Sequence, residues 1–113
     1  MAQDFERVFK SQVTSSAHTL LTSNSDDALI GIRLTNITTA ALTVSVWIDT
    51  AGAGSTASIV YLAKDLTLSP KGSIELIQGG AKINMLSGDV LKAQSSASNS
   101  VAAYVSYIDA IST

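Results

Sequence analysis

The sequence predicts an all-β protein, an antiparallel β-sandwich or jelly-roll-like domain with eight or nine short strands. Apolar and polar residues alternate with a period of two in several segments, as in strands that bury one face. Turn-forming residues recur about every 8–12 positions, and no segment sustains a helical period. Serine and threonine make up about a quarter of the 113 residues, a composition that disfavours helices.

The central stretch of the chain, residues 69–91, contains three turn signals separated by two short apolar runs. Pro70 fixes φ at the second position of a turn, and Gly72 is expected to supply the positive φ that closes it. Gly79-Gly80 lies between two runs of strand length, which is the spacing of a two-residue hairpin. Strands this short cannot enclose a core alone, so the rest of the chain must supply a second sheet.

The remaining strands follow from the same alternation. The clearest lies at residues 42–49, where Leu42, Val44, Val46 and Ile48 share one face. In the last predicted strand, Tyr104 lies on the face opposite Val101, Ala103, Val105 and Tyr107. Further strands are predicted at residues 18–23, 28–36, 58–64, 65–68, 89–95 and 101–109.

The sequence also predicts local features of one strand, one turn and one loop. In the strand at 28–36, Ile30, Ile32 and Leu34 are expected to share the buried face. Asn99 is expected to take the left-handed conformation in the turn before the last strand. Residues 51–57 are small and rich in glycine and alanine, which predicts a flexible loop.

Residues 1–16 are predicted to be an N-terminal arm, separate from a single sandwich domain at 17–113. Phe5, Val8 and Phe9 have helical spacing, but so short a helix is marginal by itself. The extended alternative places Phe9 and Arg7 on one face and Val8 on the other, and it is the form we expect. The two phenylalanines either pack on their own core or dock on a neighbouring molecule, and the sequence favours neither.

The composition excludes several classes of protein. The chain has no cysteine, so it forms neither disulfides nor thiolate metal sites. Its net charge is −2, and its seven basic residues are scattered, whereas a nucleic-acid-binding protein needs clustered lysine and arginine. The N-terminus is polar and acidic, unlike a signal peptide. No apolar run approaches the roughly 20 residues of a membrane helix.

We expect no enzymatic activity and no cofactor. His18, the single histidine, has no nucleophile or acid in a recognisable motif around it. Asp26-Asp27 is the only acidic pair, and it is expected to cap a turn rather than hold calcium. Asn36 begins a glycosylation sequon, a motif that often arises by chance. The glycine pairs lack the strand-to-helix setting of a phosphate loop.

Trp47 is the most informative single side chain. Strict alternation directs it away from the apolar face of residues 42–49. It either covers the outer face of the sheet or anchors a contact between subunits, where tryptophan is favoured for its large area. Tyr104 on the last predicted strand poses the same two alternatives.

The chain has a characteristic series of turns and strand alternations at residues 29–37, 44–48, 61–66, 70–77, 87–91 and 98–107. In these segments it resembles a small virion structural protein type common in tailed bacteriophages, especially those of cyanobacteria and other aquatic bacteria. The resemblance covers roughly residues 28–108 and rests on turns and strand alternations rather than on catalytic motifs. The loop at 51–57 and Gly79-Gly80 depart from the pattern.

The resemblance implies a sandwich-like fold and membership of a virus particle, assembled in the host bacterial cytoplasm. Small size, low charge and the absence of chemical motifs favour a capsid decoration (cement) protein, present in many copies on the head, with a tail, neck or baseplate position as the alternative. Its expected partners are the major capsid protein, other virion proteins or further copies of itself, and neither nucleic acid nor a membrane. The candidate assembly-interface residues are Phe5, Val8, Phe9, Trp47 and Tyr104.

A carbohydrate- or host-surface-binding sandwich module is the alternative from a different functional class. Trp47, Tyr61 and Tyr104 are the aromatic side chains that can stack on sugar rings. Aromatic residues make up only 5% of the chain, and the sequence places no acidic or amide cluster beside them. This composition favours the structural role over the carbohydrate-binding one.

Overall fold

The structure is a computed structural model that describes residues 4–50, 59–77 and 82–109. Within these residues it is all-β, as predicted, with two antiparallel sheets and no helix. The predicted loop at 51–57 and the pair Gly79-Gly80 lie outside the described residues. The strands are β1 (Asp4–Val13), β2 (His18–Thr22), β3 (Asp27–Asn36), β4 (Leu42–Asp49), β5 (Ile59–Leu68), β6 (Ser73–Glu75), β7 (Ile83–Met85), β8 (Val90–Ser95) and β9 (Val101–Asp109).

The strand order is that of a jelly roll. The first sheet has the order β1-β9-β3-β6, with β7 also paired to β3, and the second has the order β2-β8-β4-β5. The first strand therefore pairs with the last, the second with the next to last, and β4 with β5. This is the pattern of one long antiparallel hairpin wrapped into two facing sheets. The predicted sandwich or jelly-roll class is confirmed.

The two short strands of the central stretch do not form the predicted hairpin. β6 and β7 both pair antiparallel with β3, β6 through Leu34↔Ile74 and β7 through Ala28↔Asn84. They lie one after the other along the same edge of β3 and act as two halves of one interrupted strand. The hairpin prediction was wrong because a glycine pair is a local signal, whereas the long strand β3 provides pairing partners for both apolar runs.

The core lies between the two sheets and consists of aliphatic side chains. Each strand except β6 contributes at least one buried hydrophobic residue. The predicted apolar face of β4 is confirmed, since Leu42, Val44, Val46 and Ile48 are all buried. Side chains with less than 2% exposure include Leu29, Ile32, Leu34, Met85, Leu91, Val101 and Val105.

Two bulges change which residues face the core. The pairing of β3 with β9 shifts register between Leu29 and Gly31. As a result Leu29 is buried and Ile30, which the alternation assigns to the core, is only half-buried. A second irregularity lies in β5, where Asp65 has a φ of 51°. The two predicted strands at 58–64 and 65–68 are therefore one bent strand.

The turn that ends β5 uses a different residue from the one predicted. Gly72 N–H donates to the carbonyl of Ser69 at 2.9 Å, which closes a four-residue turn with Pro70 at its second position. The positive φ, 61°, belongs to Lys71 rather than to Gly72. A Cβ on Gly72 would lie 3.2 Å from the carbonyl oxygen of Ser69. Close approach, and not a left-handed conformation, is therefore what glycine permits here.

The predicted left-handed conformation of Asn99 is present, with a φ of 50°. Replacing Asn99 with alanine is expected to lower the free energy of unfolding by about 1 kcal/mol, because alanine pays the steric cost of this conformation. Replacement with glycine is expected to change it by less than about 0.5 kcal/mol. Urea denaturation of the three proteins measures the difference. Equal destabilisation by alanine and glycine would show that the asparagine side chain, and not its backbone conformation, matters.

Residues of the predicted arm form β1, an edge strand of the first sheet that pairs with β9 through Val8↔Val105. The extended form is thus present, with Arg7, Phe9 and Ser11 exposed and Val8 and Lys10 half-buried on the other face. In the described part of the chain, no helix has the length and apolar character needed to cross a membrane.

Candidate functional site

Three of the predicted interface residues lie together on the outer face of the first sheet. Phe9 on β1 is directly opposite Tyr104 on β9, and Phe5 lies further along the same face of β1. Their exposed fractions are 77% for Phe5, 58% for Phe9 and 45% for Tyr104. The Arg7 guanidinium carbon lies 5.1 Å from the centre of the Phe9 ring, a cation–π contact. We call Phe5, Arg7, Phe9 and Tyr104 the aromatic strip.

The aromatic strip continues across the sheet as a polar row. Tyr104 is also opposite Arg33 on β3, and Arg33 is opposite Glu75 on β6. The outer face of this sheet therefore changes from aromatic at the β1 edge to charged at the β6 edge. An exposed aromatic patch bordered by charged residues is typical of a protein–protein contact surface.

The other two predicted interface residues lie elsewhere. Val8 faces the interior and packs against the core from its edge. Trp47 is on the second sheet and is only 8% exposed. Its ring centre lies 5.8 Å from that of Tyr61, with the two planes tilted by 53°. Trp47 therefore lies on the outer face of its sheet, as predicted, but neighbouring side chains cover most of its ring.

A cleft of about 270 Å³ opens on the outer face of the second sheet beside Trp47. We call it the polar cleft. Tyr61 forms part of its wall, and the Lys64 ammonium nitrogen lies 4.9 Å from the centre of the Tyr61 ring. The other lining residues carry hydroxyl, amide or carboxylate groups: Thr43, Ser45, Asp65, Gln94, Ser95 and Ser96.

The bulge in β5 shapes the polar cleft. At this point the Asp65 amide donates to Ser45 Oγ at 2.9 Å, and the same hydroxyl lies 3.4 Å from Asp65 Oδ1. The side chain of Ser45 thus replaces a backbone partner that the bulge removes. Gln94 is opposite Ser45 on β8. This arrangement brings a carboxylate and an amide beside two aromatic rings, a combination that can bind a small polyhydroxylated ligand.

The remaining polar residues discussed from the sequence have structural roles. His18 Nε2 lies 2.8 Å from Thr14 Oγ1. Asp27 is buried and accepts hydrogen bonds from Ser23 Oγ at 2.9 Å and Ser25 Oγ at 3.0 Å, which fastens the turn before β3. Among the described residues, no three histidine or acidic side chains are arranged to hold a metal ion.

The sequon asparagine cannot accept a glycan in the folded protein. Asn36 is 0% exposed, and its side-chain nitrogen donates to Ala40 O at 2.8 Å and to Ser69 O at 3.1 Å. Glycosylation needs this nitrogen at the surface. The match to the sequon therefore reflects a structural asparagine.

The fold changes the acidity of Tyr107. Partial burial raises the pKa of its phenol above 10.0, and the nearby carboxylates of Glu6, Asp109 and Asp27 raise this pKa further. The neutral phenol is therefore favoured more in the folded protein than in the unfolded chain. Stability from this group is fully present below the unfolded pKa and is lost as the pH rises through the folded pKa.

The Tyr107→Phe variant tests this effect. We expect the wild-type protein to lose more stability than the variant as the pH rises from about 9 to about 11, because only the wild-type has this phenol to ionise. Urea denaturation at both pH values gives the comparison, and lysine deprotonation affects both proteins alike. Identical losses in the two proteins would contradict the raised pKa.

Sequence reasoning missed the residues that complete both surfaces. Arg7 carried a weak signal, since it lies two residues from Phe5 and from Phe9 on the same strand face. The sequence contains no signal that Asp65 and Gln94 belong to a site. They meet Trp47 only because β5 and β8 lie on either side of β4, and no local pattern specifies that neighbourhood.

Comparison with known proteins gives a likeness in fold. The sequence matches no protein-family model and no curated protein. A chain in the acidic stable capsid structure of Helicobacter pylori bacteriophage KHP30 superposes with a TM-score of 0.53 and 14% identity, over 96% of this chain and 87% of that one. The infectious bursal disease virus VP2 subviral particle gives a TM-score of 0.37 and 17% identity, over 96% of this chain and 42% of that one. The chain therefore shares its antiparallel sandwich fold with a chain of a bacteriophage capsid.

Proposed function

We propose that this chain is a non-enzymatic structural protein of a bacteriophage virion that decorates the head in many copies. The aromatic strip is the observation that carries the proposal. It exposes two phenylalanines and a tyrosine on a rigid sheet, where they can bury a large apolar area against a neighbouring protein at little conformational cost. Repetition over a particle surface adds avidity to each weak contact.

The fold supports the same proposal. A wrapped antiparallel sandwich presents two broad outer faces, and its rigid strands hold surface side chains in fixed positions. The KHP30 capsid chain has this fold, with a TM-score of 0.53. The head is preferred to the tail, neck or baseplate because the chain is small, carries little charge and brings together no catalytic constellation in its described residues.

Binding to a particle tests the proposal. Phage particles that lack the protein are mixed with purified wild-type chain and sedimented. We expect saturable co-sedimentation, and at least about tenfold weaker binding by the double variant Phe9→Ser, Tyr104→Ser, because truncation of aromatic anchors removes most of the contact energy. Tyr61→Ser is the matched control. It removes an exposed aromatic residue from the opposite sheet and should leave binding unchanged.

Two results would contradict the proposal in different ways. Absence of wild-type binding to any such particle would exclude the structural role. Binding that the double variant retains would move the contact away from the aromatic strip. Electron cryo-microscopy of the reconstituted particle distinguishes the head lattice from the tail and its junction.

A carbohydrate-binding role is the second candidate, and the polar cleft is the observation that favours it. Asp65 and Gln94 supply the carboxylate and amide groups that sugar hydroxyls prefer, beside the exposed ring of Tyr61. Because Trp47 is largely covered, Tyr61 is the ring available for stacking. Tyr104 is on the other sheet and does not contribute.

Titration with the host surface polysaccharide, followed by NMR, tests this second role. Carbohydrate binding predicts saturable shifts of the Trp47 and Gln94 side-chain signals, and their loss in Asp65→Ala. A structural protein without a glycan ligand gives no saturable shift. Since this experiment uses no phage particle, its result is independent of the sedimentation assay.

A further inference from the structure

The outer edge of β1 is an available pairing surface. β1 ends the first sheet, and the described residues place a partner strand only on its β9 side. Its register with β9 is regular from Asp4 to Lys10, and the irregularity comes only between Lys10 and Val13. A regular edge strand exposes a row of backbone N–H and C=O groups that can pair with another strand.

The order of charges along β1 limits how the strand can pair with a second copy of itself. In an antiparallel pair related by a twofold axis, one residue lies opposite its own copy, and residues equally spaced on either side lie opposite each other. Centring the pair on Glu6, Arg7 or Lys10 places like charges opposite each other. Centring it on Phe5 places Asp4 opposite Glu6, again a like-charged pair.

Centring the pair on Val8 gives the opposite result. Glu6 then lies opposite Lys10 of the second copy, and Arg7 lies opposite Phe9 of the second copy. Each of these contacts occurs twice because of the symmetry. Arg7 already contacts the Phe9 ring of its own chain at 5.1 Å, so the pairing would add a second such contact.

We propose that two copies of this chain associate through antiparallel pairing of their β1 edges, centred on Val8, to form one continuous sheet across the dimer. Charged side chains on an edge strand ordinarily discourage association. A pair centred on Phe9 opposes no like charges but also pairs no opposite ones. The register centred on Val8 is therefore the one that pairs opposite charges and opposes no like charges. The aromatic strips of the two copies then form one surface, because the faces of paired strands are continuous. The pairing is a property of the free chain and does not depend on the proposed function.

Reversing the charges of Glu6 and Lys10 in the full chain tests the proposal. Sedimentation equilibrium should show a wild-type dimer, whose dissociation constant rises at least about tenfold in Glu6→Lys and in Lys10→Glu, since each change creates two like-charged pairs. The double variant Glu6→Lys, Lys10→Glu should dimerise like the wild-type. An equimolar mixture of the two single variants should form a heterodimer, because both opposite-charge pairs are restored. Circular dichroism confirms that each variant is folded.

Cysteine cross-linking gives a second readout in a chain that has no cysteine of its own. Opposed residues of an antiparallel pair have Cα atoms about 4.5–5.5 Å apart, within disulfide range. Val8→Cys should therefore form a disulfide-linked dimer on mild oxidation. Phe5→Cys is the control, since its two copies lie about six residues or 20 Å apart along the strands. Three results would overturn the proposal. The wild-type chain would stay monomeric to about 1 mM, the mixture of single variants would not associate, or both cysteine variants would cross-link equally.

Discussion

Replacing Asn36 with alanine is expected to lower the free energy of unfolding by about 3 kcal/mol. Asn36 is 0% exposed, and its side chain joins the end of β3 in one sheet to the end of β5 in the other. The side-chain nitrogen donates to the carbonyl groups of Ala40, Leu68 and Ser69, at 2.8, 3.3 and 3.1 Å. The side-chain oxygen accepts from the amide and hydroxyl of Thr38, at 2.9 and 2.7 Å.

The size of this effect follows from the hydrogen-bonding groups around Asn36 that lose their partner in the alanine variant. The bond to the Leu68 carbonyl is buried, and those to Ala40 and Ser69 are partly buried. A buried carbonyl group that loses its donor keeps the cost of having left water, about 1–3 kcal/mol. The substitution therefore removes favourable bonds and creates unsatisfied groups at one place. Urea denaturation at a fixed protein concentration measures the change.

Asn24→Ala is the matched control for Asn36→Ala, because Asn24 is exposed in the loop before β3. Its expected effect is within about 0.5 kcal/mol. If both alanine variants were equally stable, the network around Asn36 would not connect the two sheets in solution. A large loss confined to Asn36→Ala would support the network as the main polar connection there.

Much of the fold could be predicted because period-two alternation is a local property of the chain. Val44, Val46 and Ile48 were placed correctly on one face of β4, and Tyr104 was placed correctly on the outer face of β9. Turn residues act locally too, as the left-handed Asn99 shows. The presence of most strands, and the face on which their side chains lie, could therefore be predicted from the sequence with little error.

Pairing could not be predicted in the same way, because it depends on which distant segments meet. The predicted hairpin at Gly79-Gly80 required β6 and β7 to be partners, yet both pair with β3. The bulge at Ile30 also has no signal in the sequence, since an extra residue in one strand is defined only relative to its partner. Both errors arise from interactions between strands rather than within them.

The candidate sites show the same division. The sequence predicted that Phe9 and Arg7 share one face of an extended strand, but it left open whether the phenylalanines pack on their own core. The structure shows that Phe5 and Phe9 are both exposed. Their proximity to Tyr104 depends on the pairing of the first strand with the last, which only the topology supplies. A single sequence therefore predicts which side chains share a strand face, but not which of them are exposed or lie together in the fold.

Glu75 illustrates how an unpredicted pairing creates a side chain with a large effect. Between β6 and β7, the edge of β3 is not covered by either short strand. The Glu75 carboxylate lies in this interval, where its Oε2 accepts from the amide of Ile32 at 2.6 Å and from the amide of Ile77 at 3.3 Å. A side-chain oxygen thus takes the place of the backbone carbonyl that a continuous strand would supply.

Glu75→Ala is expected to lower the free energy of unfolding by about 2 kcal/mol, because the Ile32 amide loses a charge-assisted acceptor beside a fully buried side chain. Glu75→Gln keeps an oxygen at this position but no charge, so about half of the loss should remain. Urea denaturation measures the free energy of unfolding of each variant. Hydrogen exchange at the Ile32 amide shows whether the loss arises at this position. Faster exchange there in the alanine variant, partly reversed in the glutamine variant, is the expected pattern. Unchanged exchange at Ile32 would mean that water or another group replaces the carboxylate, and the interrupted edge of β3 would then not depend on Glu75.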